Sequence, residues 1–276
     1  MGEAKRLEVR PISASDANRI VKALHYSGKV VNNSQLHLGV FLDGKCGGAM
    51  QFGPSLDKRK IQPLVRGTLW NEFIELNRMA FADWLPRNGE SRCLGYAMRW
   101  IRKTYPHIKW VVSFADGTQC GDGTIYRASG FVLTGIKENS QIWEAPTGEV
   151  FNDTALRPGI GGRKQQQQEK AVISRTTTTK GGHICETGAS SMKKYKEAGW
   201  KPKSGFQLRY VYFIDQDARK RLTVPALPFS EIDRLGAGMY KGKTRERGAD
   251  SGTPGNQSGR GGAIPTRSLQ TPGGEG

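Results

Sequence analysis

A chain of 276 residues has room for one large domain or two small ones, and a hydrophobic fraction of 36% is low enough that part of it should be linker or tail. The formal net charge of +17 and a pI near 9.9 point to an anionic partner, most simply nucleic acid, with a basic surface that only aids solubility as the competing reading. Cys46, Cys93, Cys120 and Cys185 include no Cys-x-x-Cys pair, which argues against a zinc ribbon. With no signal peptide read, reduced thiols in a cytoplasm are expected, and no apolar run approaches the roughly 18 residues a membrane helix needs.

Leu7 and Val9 alternate with charged residues as in a short half-buried strand ahead of Pro11. Ser15-Asp16 reads as a helix start, and Ala17, Ile20, Val21 and Leu24 recur at helical spacing, with Gly28 as the stop. That helix delivers His25, Tyr26 and Ser27 at its C-terminal end. A histidine there is also favoured by the helix dipole, so a structural role competes with a catalytic one. Leu36, Leu38, Val40 and Leu42 alternate, Asp43-Gly44 is a hairpin turn, and 47–52 returns as the partner strand. Residues 53–67, with two prolines and Asp57-Lys58-Arg59-Lys60, read as a surface loop that is either merely solvated or a phosphate-contacting finger.

The next strand ends in Glu75-Leu76-Asn77-Arg78-Met79, and strict alternation puts Ile74, Leu76, Arg78 and Ala80 on one face. An arginine sharing the face of Ile and Leu must find a partner, either a structural carboxylate or an anionic substrate. A turn, Pro86-Arg87-Asn88-Gly89-Glu90-Ser91-Arg92, leads into a helix with the stripe Leu94, Ala97, Met98 and Ile101 that ends before Pro106. Residues 108–115 are nearly all apolar, as in a strand covered on both sides, and Asp116 stands at the carboxyl end, where open α/β sheets place ligand-binding residues. Strand, Gly-bearing turn, helix, strand is also an order that presents backbone amides to an anion.

Beyond the cassette 123–131 the pattern loosens. Residues 143–151 suggest a hairpin around Thr147-Gly148, 158–190 a low-complexity insertion with a glutamine and a threonine run, 192–198 a short basic helix, and 207–214 a last strand. From about Arg234, Gly, Ser, Thr and Pro dominate and no core can be built, so a disordered basic tail is expected over 234–276, with the folded domain over 1–220.

The order of elements resembles the GNAT acyltransferase fold, an α/β (α+β) architecture with a mixed central sheet flanked by helices. In that family the turn before the long helix carries Arg/Gln-x-x-Gly-x-Gly/Ala. Here Arg87-Asn88-Gly89-Glu90-Ser91-Arg92 keeps one glycine and puts Glu90 near where a pyrophosphate would lie. His25-Tyr26-Ser27, Glu75 to Met79, Pro86 to Arg92, Ser113-Phe114-Ala115-Asp116, Gly123 to Phe131 and Gly205 to Tyr210 together resemble the Mom family of DNA-modification proteins of Mu-like phages, over roughly residues 7–215.

That resemblance implies transfer of a carbamoylmethyl (acetamido) group to the exocyclic amine of adenine in double-stranded DNA, protecting phage DNA from host restriction enzymes. It implies catalytic roles for His25, Tyr26, Asp116 and Tyr126, and donor binding by Arg78, Asn88, Gly89, Ser91 and Arg92, with acetyl-CoA as the acyl donor considered. Acyl transfer joins nitrogen to a carbonyl carbon, whereas this product is joined through a methylene; iron-assisted chemistry, with His25 and Asp116 as ligands, is the added expectation. The rival functions are a GNAT acetyltransferase acting on a small amine or protein, and a non-enzymatic basic DNA-binding module.

Overall fold

A computed structural model describes residues 3–118, 121–139, 142–148, 150–152, 195–240 and 243–244. The low-complexity insertion, the tail, Cys120 and Cys185 lie outside the described residues.

The organising element is a seven-stranded sheet in the order β1-β2-β3-β4-β5-β10-β6. Its strands are β1 (Glu8–Pro11), β2 (Leu36–Leu42), β3 (Lys45–Gly53), β4 (Phe73–Phe81), β5 (Trp110–Asp116), β6 (Val132–Glu138) and β10 (Phe206–Phe213). The β2–β3 hairpin turns at Asp43-Gly44 as expected, both residues having positive φ (51° and 78°), the geometry that matches the twist of paired strands. Strand β10, last in sequence, inserts between β5 and β6 and runs antiparallel to both. A smaller three-stranded sheet joins β7 (Ile142–Glu144) to β8 (Val150–Asn152) and β9 (Lys201–Lys203); the first two are the hairpin expected around Thr147-Gly148.

Helix α1 (Ala14–Leu24) starts one residue after Ser13, whose hydroxyl accepts the Asp16 N–H at 3.1 Å. The expected Ser15-Asp16 start is therefore two residues late. Ala17 and Val21 are buried, while Leu24 is exposed, because the helix ends there. Helix α2 (Lys58–Ile61) and a 3-10 turn (Gln62–Leu64) give the 53–67 stretch more structure than the loop expected of it. Helix α3 (Gly89–Thr104) buries Cys93, Leu94, Ala97, Met98 and Ile101, which contains the predicted stripe. Short helices α4 (Thr124–Ala128), α5 (Gln216–Lys220) and α6 (Ser230–Arg234) lie farther along the chain. Ile232 and Ala237 are buried in the main core, so the chain contributes to the folded unit well past residue 220.

Two features of β4 shape the site. Opposite β3, Gln51 pairs with Arg78 and Phe52 with Leu76, leaving Asn77 as the extra residue of a β-bulge. Strict alternation placed Arg78 on the face of Ile74 and Leu76. The bulge resets the alternation, so Met79 and Phe81 join Leu76 against the α3 core while Arg78 turns to the opposite face, where α1 lies. The second feature is the β4–β5 ladder, which is parallel and covers only Phe73–Glu75 against Trp110–Val112. Beyond it β4 runs on to Phe81 and β5 to Asp116, so the two strands part and leave a wedge at their carboxyl ends.

Candidate active site

On one side of the wedge the end of α1 meets the bulge of β4. His25 closes α1, its N–H donating to Val21 O at 2.9 Å and its ring leaving the helix axis. The Ser27 backbone N–H donates to His25 Nδ1 at 3.2 Å, and Ser27 Oγ lies 2.8 Å from the same nitrogen. A backbone amide only donates, so Nδ1 carries the lone pair and the neutral ring holds its proton on Nε2. Burial, then the Arg78 guanidinium, depress the imidazole pKa to about 4. The Tyr26 ring lies 4.3 Å from that of His25, and half of Tyr26 remains exposed.

Arg78 donates from Nε to the Lys29 carbonyl (2.9 Å) and from Nη1 to the Asn77 carbonyl (2.7 Å). Burial lowers its pKa, against the pull of the neighbouring Tyr26 and Glu75. The partner demanded of this arginine is thus found in backbone carbonyls as well as in a carboxylate. The Glu75 carboxyl is pushed up by burial, and opposed by hydrogen bonds from Ser55 and Asn77 and by Arg78. Asn77 Oδ1 accepts from Ser34 Oγ at 3.0 Å, and Nδ2 donates to Pro54 O at 3.4 Å. His25, Tyr26 and Arg78 are therefore gathered in one cluster with Glu75, a residue that sequence pattern alone did not single out. Its signal was a carboxylate two residues before the bulge, and a bulge depends on the partner strand rather than on local sequence.

Asp116 ends β5 on the face shared by Trp110, Val112 and Phe114, and the register of the parallel ladder makes this the face of Phe73 and Glu75. Its Oδ1 accepts the Thr118 N–H at 2.9 Å and its carbonyl the Gly121 N–H at 3.2 Å. Tyr126, on α4, belongs to the other layer. It packs against Phe131 (5.4 Å) and Tyr210 (5.3 Å) beside the α3 core, and Tyr210 pairs with Ser113. The five residues named for catalysis and anchoring at this end thus divide between the two faces of the sheet. Ser113 is the first β5 residue beyond the ladder; its hydroxyl is fully buried and has no hydrogen-bond partner among the described residues.

The turn into α3 offers the second half of a site. Asn88 is left-handed (φ 64°, ψ 12°) and makes no side-chain cap, Gly89 N–H donates to Pro86 O at 2.9 Å, and Arg92 N–H to Asn88 O at 3.3 Å. Helix geometry leaves the Glu90 and Ser91 amides without an intrahelical acceptor. A Cβ at Gly89 would lie 2.9 Å from the Leu7 Cδ1 methyl, which would have to move aside. Ser91 Oγ donates to Asn88 O at 3.3 Å, and Ser129 Oγ, which donates to Ile125 O at 2.8 Å, lies 3.3 Å from Ser91 O, which sets α4 beside the start of α3. Amides at a helix start, Arg92 on the surface beside them and an orphaned buried hydroxyl in the wedge suit a phosphate-bearing acyl donor, against which Glu90 acts as a like charge.

Iron fares differently. Among the described residues no three His, Cys, Asp or Glu side chains come together as a metal site, and the nitrogen His25 turns toward Ser27 is engaged. The residues do not fit an iron ion. Cys46 and Cys93 are free thiols; burial, then Glu90, push the Cys93 thiol up to about 12, so it stays protonated and inert. Among the described residues no helix is long and apolar enough to cross a membrane.

Comparison with known proteins supplies independent findings. The model of the Mom protein family matches residues 6–231. "Methylcarbamoylase mom" of Escherichia phage Mu is 43% identical over 138 residues, covering 50% of this chain and 57% of that protein, so the match spans little more than half the relative's length. Among solved structures, a GNAT-family acetyltransferase from Streptococcus pneumoniae is 17% identical, with 48% of this chain and 88% of that one covered and a TM-score of 0.34. A Bacillus subtilis acetyltransferase in complex with CoA is 8% identical, with 75% and 97% covered and a TM-score of 0.38.

Proposed function

The chain belongs to the Mom protein family, and on that premise we propose that it is a transferase that adds a carbamoylmethyl group to the exocyclic amine of adenine in double-stranded phage DNA, shielding that DNA from host restriction enzymes. The observation that carries the reading is the cluster of His25, Tyr26, Glu75 and Arg78 beside the wedge where β4 and β5 part.

Adenine's exocyclic amine is a weak nucleophile, its lone pair delocalised into the ring, and in a duplex it is also paired. The base has to leave the stack and meet a proton acceptor. With Nδ1 held by Ser27, His25 offers Nε2–H as a hydrogen-bond donor, suited to a ring nitrogen of adenine or a carbonyl oxygen. Proton abstraction then falls to Asp116, a carboxylate at the end of β5. Tyr26 and Tyr126 are the hydroxyls able to protonate a leaving group, one from each face of the sheet. Arg78, fixed by two carbonyls, supplies a positive charge of set position for the donor or for developing negative charge.

The donor-side residues are Asn88, Gly89, Ser91 and Arg92, with the α3 amides receiving the phosphates of a donor of the acyl-CoA class. When bound, such a donor would supply a two-carbon unit; joining it to nitrogen through its methylene and furnishing the amide nitrogen call for chemistry beyond acyl transfer.

The test is a nucleoside digest, analysed by mass spectrometry, of DNA from cells expressing the protein. An adenine nucleoside heavier by one carbamoylmethyl group is expected. Unaltered adenine throughout would refute the reading, and tight, steeply salt-dependent binding without product would favour a DNA-binding module instead.

A further inference from the structure

Between β3 and β4 the chain makes an excursion, residues 54–72, that the catalytic cluster does not use. Its base is firmly held. Leu64 and Val65 are buried with Phe73, Trp110 and Val112; Trp110 Nε1 donates to Thr68 Oγ1 (3.1 Å) and Gln62 Nε2 to Thr68 O (2.7 Å). The Arg66 and Arg221 backbones also join, at 2.9 Å. On this anchored base the outer residues are unusual. Leu56 is 94% exposed, Leu69 67% and Trp70 50%, alongside Lys58, Arg59, Lys60 and Arg66. Lys58 Nζ stands 4.6 Å from the centre of the Trp70 ring. One exposed leucine needs no explanation, but three large apolar side chains among four cations on one segment anchored at its base do.

The segment also borders the cluster. Pro54 O accepts from Asn77 Nδ2 at the bulge, Ser55 hydrogen-bonds Glu75, and a groove lined by Ser55, Leu56, Lys58 and Trp70 lies alongside. Positive charge interleaved with an exposed aromatic and an aliphatic tip is the chemistry that meets a nucleic-acid duplex: cations on phosphates, an aromatic face for a base, an apolar wedge for a gap in the stack.

We propose that residues 54–72 are the duplex-engaging element, in which Lys58, Arg59 and Lys60 grip the phosphate backbone, Leu56 enters the space left by the extruded adenine, and Trp70 stacks on a neighbouring base. The inference rests on the transferase reading above. It assigns duplex DNA as the occupant because of the segment's charge, and it separates the residues that open the duplex from those that do chemistry.

The test uses the full chain and a short duplex with 2-aminopurine in place of one adenine, which brightens when unstacked. The wild type is expected to brighten the probe. Leu56→Ala, a change at an almost wholly exposed side chain, should bind within about 2-fold of wild type but brighten it little. Replacing Lys58, Arg59 and Lys60 together by Ala should weaken binding and reduce the slope of log K against log salt by about 2 to 3. Full brightening with Leu56→Ala, no brightening with the wild type, or an unchanged salt slope in the triple variant would each overturn the proposal. Digests of DNA from cells keep the two readings apart. Leu56→Ala with full adenine modification defeats the wedge and leaves the transferase standing, whereas unmodified DNA from wild-type cells defeats the transferase itself.

Discussion

Arg78 Nε donates to the carbonyl of Lys29 at 2.9 Å, a bond that spans 49 residues and ties the turn after α1 to the bulge of β4. Because Nη1 of the same guanidinium holds the Asn77 carbonyl, one planar fork fixes both the bulge and the segment that carries His25 and Tyr26. A lysine keeps the charge but not the fork. Arg78→Lys is therefore expected to lower adenine modification by about 10-fold or more, the equivalent of a charged hydrogen bond, while the protein still folds. Quantified nucleosides alongside a thermal melt check this, and near-wild-type modification would remove Arg78 from the site.

The His25 imidazole is held at a pKa of about 4 in the fold, against 6.5 for the ordinary side chain. Between these values the unfolded chain binds more protons than the folded one, so stability rises with pH through that window. Above about pH 6.5 the penalty is absent, and below about 4 it is present in full, on the order of 3 kcal/mol. Urea melts at pH 7 and pH 5 should show wild type losing more stability than His25→Gln. Equal losses would mean that the imidazole is not buried as described. The same placement predicts that turnover shows no inflection near pH 6.5 attributable to His25.

Asp116→Asn preserves an oxygen to accept the Thr118 N–H but removes the proton acceptor. Modification is expected to fall by about 10²-fold or more, with an unchanged melting temperature. Retention of full modification would transfer the role of base to another residue, with the half-buried Glu75 the next to examine.

Leu94 is fully buried on α3 at the centre of the main core. Leu94→Ala is expected to cost about 2–5 kcal/mol, the transfer term plus the cavity left behind, read as a lower urea midpoint at an unchanged slope. A change below about 0.5 kcal/mol, the range of surface substitutions, would contradict the packing described for α3.

The chain itself disclosed what local pattern determines. Asp43-Gly44 fixed the β2–β3 turn, the stripe from Leu94 to Ile101 fixed the buried face of α3, and the apolar run before Asp116 fixed β5 and its carboxyl end. His25, Tyr26, Arg78 and Asp116 can be proposed from the sequence because each falls at the end of an element or breaks its apolar pattern. Non-local pairing stayed hidden. The bulge at Asn77 exists only against β3, and it alone turns Arg78 away from the face that alternation gave it. Likewise β10 enters the sheet between β5 and β6, a position that no periodicity encodes, and thereby sets Tyr210 against Tyr126. Glu75 became visible only through its burial beside Arg78 and Ser55.

The most direct measurement compares DNA from cells expressing wild type, Arg78→Lys and Asp116→Asn, by mass spectrometry of the digested nucleosides. A carbamoylmethyl-bearing adenine nucleoside is expected with the wild type, much reduced with Arg78→Lys and nearly lost with Asp116→Asn, at matched amounts of folded protein. Equal modification in all three, or none in the wild type, would contradict the assignment of this chemistry to the cleft between β4 and β5.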